Sequence, residues 1–295
     1  MKRALLLLIL LAGGVAHAEP VVGLFAPSAP FSSTASRVEL VNRLAADLGK
    51  ALGGKAVGRV YARAGDFAAA VKKGEVTVAV VDPGYLAAAG GGTVVAVALR
   101  GGEAAHGWQL VAKAGTKLAD LRGKRILVPG LGGRETDFVL DVLLGGEVAR
   151  DYFAKIEPAP DTVSALAALG LGKADAAVVP GGVDAPAGYA SMLALPSLPE
   201  PVLVAYAGVP VAARADLVAA ATAFHGDAIV AGFRGSDADG VRGIARRFSA
   251  PVKRGPFAVP AVRLLVGDLV EGRVFTIDRT SPTAFVAVPP APQHP

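Results

Sequence analysis

The chain of 295 residues contains no cysteine and only four histidines, and 19% of its residues are charged. Without cysteine there is no structural disulfide, no thiol nucleophile and no thiolate metal site. The histidines form no HExxH motif and no pair at helical spacing, which leaves no sequence signature of a metal site. Hydrolase and nucleotide-binding motifs (Gly-x-Ser-x-Gly and Gly-x-x-x-x-Gly-Lys-[Ser/Thr]) are also absent. We therefore expect a protein without catalytic residues, metal or cofactor.

Charge and hydrophobicity narrow the class of protein further. The formal net charge is +5, but the basic residues are dispersed and lack interleaved aromatics, so a nucleic-acid partner is not expected. Hydrophobic residues make up 53% of the chain, which is ample for a packed core. Beyond the N-terminus, no stretch reaches the ~18 uninterrupted apolar residues of a transmembrane helix. The length suits one large domain or two of ordinary size.

The first 18 residues have the organisation of a secretory signal peptide. Lys2 and Arg3 precede an apolar run at 4–12, and the small residues Ala16 and Ala18 stand where signal peptidase requires them. The run is too short to cross ~30 Å of hydrocarbon, and no cysteine is present to carry a lipid anchor. We predict cleavage after Ala18 and a periplasmic, non-lipidated mature protein. Export also argues against ATP- or NAD-dependent chemistry.

Short apolar strands alternate with amphipathic helices, which indicates parallel βαβ units and an α/β fold. The predicted strands are 21–25, 57–61, 76–81, 94–99, 108–112, 125–128, 154–157, 174–179 and 202–206. The predicted helices begin at a capping box of Ser36 and Glu39 and continue with 66–73, 134–144, 162–171 and 214–224.

Two segments of the chain repeat at an offset of 98 residues. Residues 74–84 align with 172–182, and both follow an alanine-rich helix. One interpretation is a pair of similar lobes; the alternative is that any two βα units in a chain rich in Ala and Val look alike. The extended segments 94–112 and 202–206 would then be two crossings between lobes, and together they would form a hinge.

Four stretches resemble the phosphate/phosphite/phosphonate-type solute-binding proteins of ABC importers: 22–25, 66–85, 118–126 and 165–177. The resemblance implies the type 2 periplasmic-binding fold, in which two lobes, each a mostly parallel sheet flanked by helices, are joined by a two-strand hinge. Residues 19–102 and 203–288 would form the first lobe and 103–202 the second, with a flexible tail at 289–295. It further implies a monomer that closes on a small anionic solute and delivers it to an ABC permease.

Helix N-termini favour anions, so the first lobe's site is expected before its first helix. Ser32, Ser33 and Thr34 stand there and offer hydroxyl groups to a solute. The alternative is that these residues only cap the helix, as Ser and Thr commonly do.

In the second lobe, the expected site is the glycine loop before helix 134–144. Gly132 and Gly133 would let a solute approach bare backbone amides, and Arg134 offers a bidentate contact to its oxygens. The alternatives are a plain tight turn and an arginine paired with a neighbouring carboxylate. The resembling proteins that bind phosphonate present a run of hydroxyl residues here, of which this chain keeps only Thr136.

Two further residues complete the predicted site. Tyr85 stands where the resembling proteins keep an aromatic residue against the ligand, although it could equally be a core aromatic. Asp184 follows a third strand, where open α/β sheets bind ligands; capping a turn is its alternative role, as it is for Asp82. Because the hydroxyl run is degraded, a periplasmic sensor or interaction protein of the same fold, without a transport role, is the second hypothesis for function.

Overall fold

The computed structural model describes residues 19–236 and 238–249. The predicted signal peptide (1–18), the predicted tail (289–295) and the remainder of the chain beyond residue 249 lie outside the described residues. Within the described part, strands alternate with helices and form two mixed sheets flanked by helices. The predicted α/β class is therefore confirmed.

The strands of the described residues are β1 (Val21–Phe25), β2 (Val57–Val60), β3 (Val78–Val81), β4 (Thr93–Leu99), β5 (Ala105–Lys113), β6 (Arg125–Pro129), β7 (Lys155–Ala159), β8 (Ala176–Pro180), β9 (Tyr189–Pro199), β10 (Val202–Ala205) and β11 (Gly232–Gly235). The helices are α1 (Thr34–Leu48), α2 (Ala64–Lys72), α3 (Pro83–Ala89), α4 (Glu135–Asp137), α5 (Thr162–Gly170), α6 (Ala213–Ala223) and α7 (Asp239–Ser249). A 3₁₀ turn at Leu118–Leu121 precedes β6, and α4 runs directly into a π-helix at Phe138–Leu143.

The two sheets share one plan. The first has the order β11-β4-β10-β3-β1-β2 and the second the order β7-β6-β8-β5-β9. In each sheet, the three strands of a βαβαβ unit are parallel: β1, β2 and β3 in the first sheet, and β6, β7 and β8 in the second. An antiparallel strand lies beside the third strand of each unit, β10 beside β3 and β5 beside β8. The third strands β3 and β8 are buried along their whole length, as expected for strands covered on both faces. We call the sheets with their helices the first and second lobe.

The repeat of 98 residues extends beyond the aligned segment. Three pairs of elements begin 98 residues apart, namely β2 and β7, α2 and α5, and β3 and β8. Gly74 and Gly172 also correspond: both follow their helix with φ near +70° (72° and 68°), a backbone conformation that favours glycine. Since residues at this offset occupy the same place in the two sheets, the interpretation of two similar lobes accounts for the repeat.

The chain crosses between the sheets twice, from β4 to β5 and from β9 to β10. Strand β9 was not predicted; it is the edge strand of the second sheet, where its prolines are tolerated. The sequence analysis also missed α3, β11 and α7. Helix α7 packs against α3 of the first lobe and against the π-helix and β9 of the second.

One hydrophobic cluster is continuous between the sheets. It includes Phe25, Phe67 and Tyr85 from the first lobe, together with Trp108 and Phe138 from the second. A separate cluster fills the other side of the first sheet beneath α1 and α6, and a smaller one lies under α5. The lobes are therefore in apolar contact in this structure.

Two glycines allow a matched test of packing in the first lobe. A Cβ added to Gly58 of β2 would stand 2.5 Å from Asn42 Oδ1 and 2.8 Å from the carbonyl carbon of Val41, whereas one added to Gly65 of α2 would meet nothing within 4 Å. We expect Gly58→Ala to lower the unfolding free energy by about 1–3 kcal/mol, and Gly65→Ala to raise it by up to about 1 kcal/mol. Urea denaturation measures both, and equal midpoints would contradict the close packing of β2 on α1.

Candidate functional site

The lobes touch at the carboxyl ends of their parallel strands, the position where open α/β sheets bind ligands. Ser28, in the loop after β1, donates its backbone N–H to Asp82 Oδ2 at 3.0 Å. From the second lobe, Thr162 donates its hydroxyl to the Ser28 carbonyl at 2.7 Å and its backbone N–H to the Pro27 carbonyl at 3.0 Å. The first turn of α5 is thus hydrogen-bonded directly to the first lobe.

An ion pair crosses the same junction. Arg37 of α1 and Asp161, the N-cap of α5, are paired through Nη2 and Oδ2, and each side chain is 16% exposed. The other carboxylate oxygen of Asp161 accepts the Ser164 backbone N–H at 2.7 Å. Partial burial alone would raise the pKa of Asp161, but the hydrogen bonds from Ser164 and Arg37 outweigh it and hold the pKa below its ordinary value. Asp161 is therefore ionised at neutral pH, and its ion pair with Arg37 joins the two lobes.

A small cavity of about 40 Å³ lies beside this ion pair. It is lined by both lobes, through the end of β1, the end of β2, Arg37 and Pro160. Two of its lining residues carry buried donors, Arg37 Nε and Tyr61 Oη, with no hydrogen-bond partner in the described part of the chain. A buried donor without an acceptor is costly, so these two atoms mark a place for an oxygen or an anion.

Of the hydroxyl residues predicted before the first helix, Ser33 is the N-cap and Thr34 is already the first residue of α1. The helix begins three residues earlier than predicted: Ser33, not Ser36, is the N-cap, and its capping partner is Ser36 rather than Glu39. The Ser36 backbone N–H donates to Ser33 Oγ at 3.1 Å, and the Ser33 N–H donates to Ser36 Oγ at 3.3 Å. Ser32, Ser33 and Thr34 are exposed, and none of them lines the cavity.

Tyr85 and the glycine loop do come together between the lobes. Tyr85 lies in the first turn of α3, 7% exposed, with its ring edge-on to Phe25 at 4.9 Å, and burial raises the pKa of its hydroxyl. A Cβ added to Gly132 would lie 3.3 Å from Tyr85 Cε2 and 3.0 Å from the Ala64 Cβ. Only glycine allows the second lobe's loop to approach this closely, and its φ of +80° also favours glycine.

The amides of the glycine loop already have an acceptor. Glu135 Oε1 accepts the backbone N–H groups of Leu131 at 2.7 Å and Gly133 at 3.1 Å. The buried carboxylate of Glu135 therefore occupies the position that the sequence analysis assigned to an anionic solute.

The other predicted side chains of the second lobe lie apart from the cavity. Arg134 donates from Nε to Asp137 Oδ2 at 2.7 Å, and its guanidinium lies 5.0 Å from the ring centre of Phe248. This is the pairing with a neighbouring carboxylate that the sequence left open. Thr136 is exposed in α4, and Asp184 is exposed in the loop after β8.

At the hinge, buried charges tie the two crossings to each other. Arg100, just after β4, pairs with Glu200, which lies between β9 and β10, with 3.0 Å between Nε and Oε1. The same guanidinium donates to the Gly181 carbonyl at 3.0 Å, and His106 Nδ1 lies 2.8 Å from Glu200 Oε1. The Glu200 backbone N–H donates to the Ala104 carbonyl at 2.8 Å. The crossings are thus bonded through side chains and backbone.

Three residues at the junction were missed by the sequence analysis, namely Arg37, Tyr61 and Asp161. Signals for two of them were available: Tyr61 ends a predicted strand, and Asp161 immediately precedes a predicted helix, both at the carboxyl edge of a parallel sheet. No local pattern distinguishes Arg37, because its partner is 124 residues away. Buried Asp82, by contrast, accepts the Gly84 N–H at 3.1 Å and caps α3, the role expected of a turn residue.

Two lobes of the same sheet plan, joined by adjacent crossings and meeting at their strand ends, define the type 2 periplasmic-binding fold. Among the described residues, no helix has the length and apolarity to cross a bilayer. Nor do those residues place three or more potential ligands where they could hold a metal ion.

Comparison with solved structures agrees with this fold. The chain resembles PhnD1 of Prochlorococcus marinus in complex with methylphosphonate, with a TM-score of 0.60 and 11% identity over 77% of this chain and 96% of that one. It also resembles the binding protein component of an ABC phosphonate transporter from Pseudomonas aeruginosa, with a TM-score of 0.57 and 14% identity over 78% and 86% of the chains.

A third similar structure is a Xanthomonas citri protein bound to ATP, with a TM-score of 0.62 and 13% identity over 78% of this chain and 96% of that one. No protein-family model matches the chain, and no curated protein matches its sequence. At these identities the likeness is one of fold. The predicted resemblance to phosphonate-type binding proteins is thus confirmed at the level of structure.

Proposed function

We propose that this protein is a periplasmic solute-binding protein of an ABC importer that closes its two lobes on a small anionic solute of the phosphate or phosphonate type. The observation that carries the proposal is the pair of buried donors, Arg37 Nε and Tyr61 Oη, which find no acceptor among residues 19–236 and 238–249 and belong to residues lining a cavity between the lobes. A guanidinium is always charged and suits phosphoryl oxygens, and a phenol hydroxyl donates one more hydrogen bond. Both donors would be satisfied by oxygens of such a solute.

Closure follows from contacts that only the closed form makes. A cavity of about 40 Å³ is small for a phosphoryl group, so the solute would enter while the lobes are apart, and the lobes would close on it less tightly than they close in this structure. Once bound, the solute would touch Arg37 and Tyr61 of the first lobe and the first turn of α5 in the second. A ligand that contacts both lobes stabilises the closed state relative to the open one.

The proposed function as a solute-binding protein also includes the domain bounds, the export of the protein and its membrane partner. The lobes would comprise residues 19–102 with 203–288 and residues 103–202. The protein would be exported by the signal peptide at 1–18, act as a monomer without cofactor or catalysis, and meet an ABC permease transiently at the inner membrane. Of the predicted contacts, Tyr85 and Gly132 would form part of the wall of the cleft, since they lie where the lobes touch.

One observation favours the alternative, a sensor or interaction protein of the same fold. Glu135 already satisfies the amides of Leu131 and Gly133, and Thr162 already bonds Ser28 across the junction. The closed form therefore makes a full set of contacts at these points without a solute, as a protein that presents one closed surface to a partner would require.

Calorimetric titration of the purified protein separates the two functions. Phosphate, methylphosphonate, a sulfonate, a carboxylate and an amino acid would be titrated in turn, with thermal shifts as a second readout. We expect saturable binding and a rise in melting temperature with the phosphoryl anions. An absence of binding to every compound would contradict the solute-binding function and favour the interaction role.

A further inference from the structure

Asp161 uses its two carboxylate oxygens for different purposes. Oδ1 accepts the Ser164 backbone N–H at 2.7 Å and thereby caps α5, while Oδ2 pairs with Arg37 of the opposite lobe. Both side chains are 16% exposed, so water screens the pair less than it screens a surface ion pair. The carboxylate of Asp161 thus lies against the guanidinium that the proposed function assigns to the solute.

The guanidinium of Arg37 is only partly used by this pairing. Nη2 is paired with Asp161, while Nε is buried and has no hydrogen-bond partner within the part of the chain that the structure describes. An arginine that binds a phosphoryl group engages it through two parallel N–H donors. Such binding at Arg37 requires the donor that Asp161 now occupies.

We propose that Asp161 is a built-in counter-ion of the solute site, which holds the lobes closed when the site is empty and which an anionic solute must displace from Arg37. The inference rests on the proposed function for its solute, but the closure of the empty protein by Asp161 can be tested without one. Asp161 would therefore set the affinity of the site for anions and its specificity among them.

Asp161 would weaken anion binding in two ways, by competing for Arg37 and by repelling the bound anion. The solute must first break the pair of Arg37 and Asp161, and the displaced carboxylate remains on the lobe that closes over the bound anion. Like charges brought together in a partly buried site repel each other. Because the anion and Asp161 compete for the same guanidinium, weakening their ion pair strengthens anion binding. The native residue therefore admits only anions that bind Arg37 more strongly than a carboxylate does.

The substitution Asp161→Asn removes the negative charge of residue 161 but keeps its role as the N-cap of α5. Asparagine is as good an N-cap as aspartate, so the bond to the Ser164 N–H and the start of α5 are retained. We expect the affinity for methylphosphonate and for inorganic phosphate to rise by roughly tenfold, in the range typical of coupled binding events. Calorimetric titration of the wild type and the variant measures the ratio of dissociation constants.

The matched control is Asp137→Asn, which removes the same charge from an ion pair inside the second lobe. This control is expected to leave anion affinity unchanged. An increase in affinity with Asp137→Asn alone would place the anion at Arg134 and overturn the inference. A loss of affinity with Asp161→Asn would mean that Asp161 binds the solute itself, which also overturns it.

A second readout needs no solute. Small-angle X-ray scattering of the solute-free proteins should give a larger radius of gyration for Asp161→Asn than for the wild type or Asp137→Asn, because the ion pair across the lobes is lost. Identical radii would contradict the closing role of Asp161. If the wild type and Asp161→Asn both fail to bind any anion, the proposed function fails, and the scattering comparison alone decides on Asp161.

Discussion

Replacing Phe138 with alanine is expected to lower the unfolding free energy by about 3–5 kcal/mol, among the largest effects of any single substitution in the core. The side chain is 0% exposed, and its ring lies edge-on to Trp108 at 5.1 Å. It also reaches the first lobe, since a Cβ added to Gly84 would stand 3.0 Å from Phe138 Cε2. Because the residue is packed between two sheets, neither of which can collapse into the space, the cavity left by alanine would persist.

Urea denaturation with a fluorescence probe measures this loss. Phe138→Leu retains most of the volume and should cost clearly less, while Val38→Ala, at a side chain 41% exposed on α1, should change stability by no more than about 0.5 kcal/mol. Equal costs for Phe138→Ala and Val38→Ala would contradict a packed apolar junction between the lobes.

Arg37→Ala is expected to weaken anion binding by about a hundredfold, since it removes the charged partner of a buried phosphoryl group. Arg134→Ala is the matched control, with the same change at the arginine that the sequence analysis favoured. Arg134 already pairs with Asp137 and lies over Phe248, so its loss should leave the affinity for methylphosphonate nearly unchanged. Titration of the two variants against the wild type measures both.

The conservative variant Arg37→Lys distinguishes charge from geometry. Lysine keeps the positive charge but lacks the planar fork, so we expect an affinity between those of the wild type and Arg37→Ala. The opposite ranking, with Arg134→Ala abolishing binding and Arg37→Ala without effect, would return the anion to the glycine loop.

Periodicity in the sequence was enough to predict the framework of the fold. The all-apolar strands β3 and β8 and the repeat of 98 residues together predicted two similar α/β units. Of the two predicted crossings, 94–112 contains the connection from β4 to β5, whereas 202–206 holds β10 of the first sheet and directly follows the second connection. Helix α7 was missed although its signal was present: Val241, Ile244 and Phe248 are spaced by three and four residues, the pattern of one apolar helix face.

The start of α1 was placed wrongly for a local reason. Ser33 and Ser36 each stand three residues before a possible capping partner, Ser36 and Glu39 respectively. Two overlapping caps of similar strength cannot be ranked from the sequence alone. The backbone decides, because Ser33 has the extended φ of −156° that an N-cap adopts.

The chemistry of the site depended on contacts that local patterns do not encode. The sequence places Gly133 just before a helix, where backbone amides lack an intrahelical acceptor, but it does not show that Glu135 turns back to accept the Gly133 N–H. The pair of Arg37 and Asp161 joins residues 124 positions apart, and it exists only because the two lobes meet. The sequence therefore pointed to the edge of each sheet at which the lobes meet, but not to the side chains that meet there.

The bonded crossings restrict how the molecule can move. Arg100 and Glu200 hold the two connecting segments side by side, and the Glu200 N–H to Ala104 carbonyl bond adds a backbone link. Sliding one sheet past the other would shear all of these links together, whereas a small rotation about the line through them would stretch none. If the lobes open as proposed, we expect the motion to be a rotation about these bonded segments, which separates the strand ends of the two sheets.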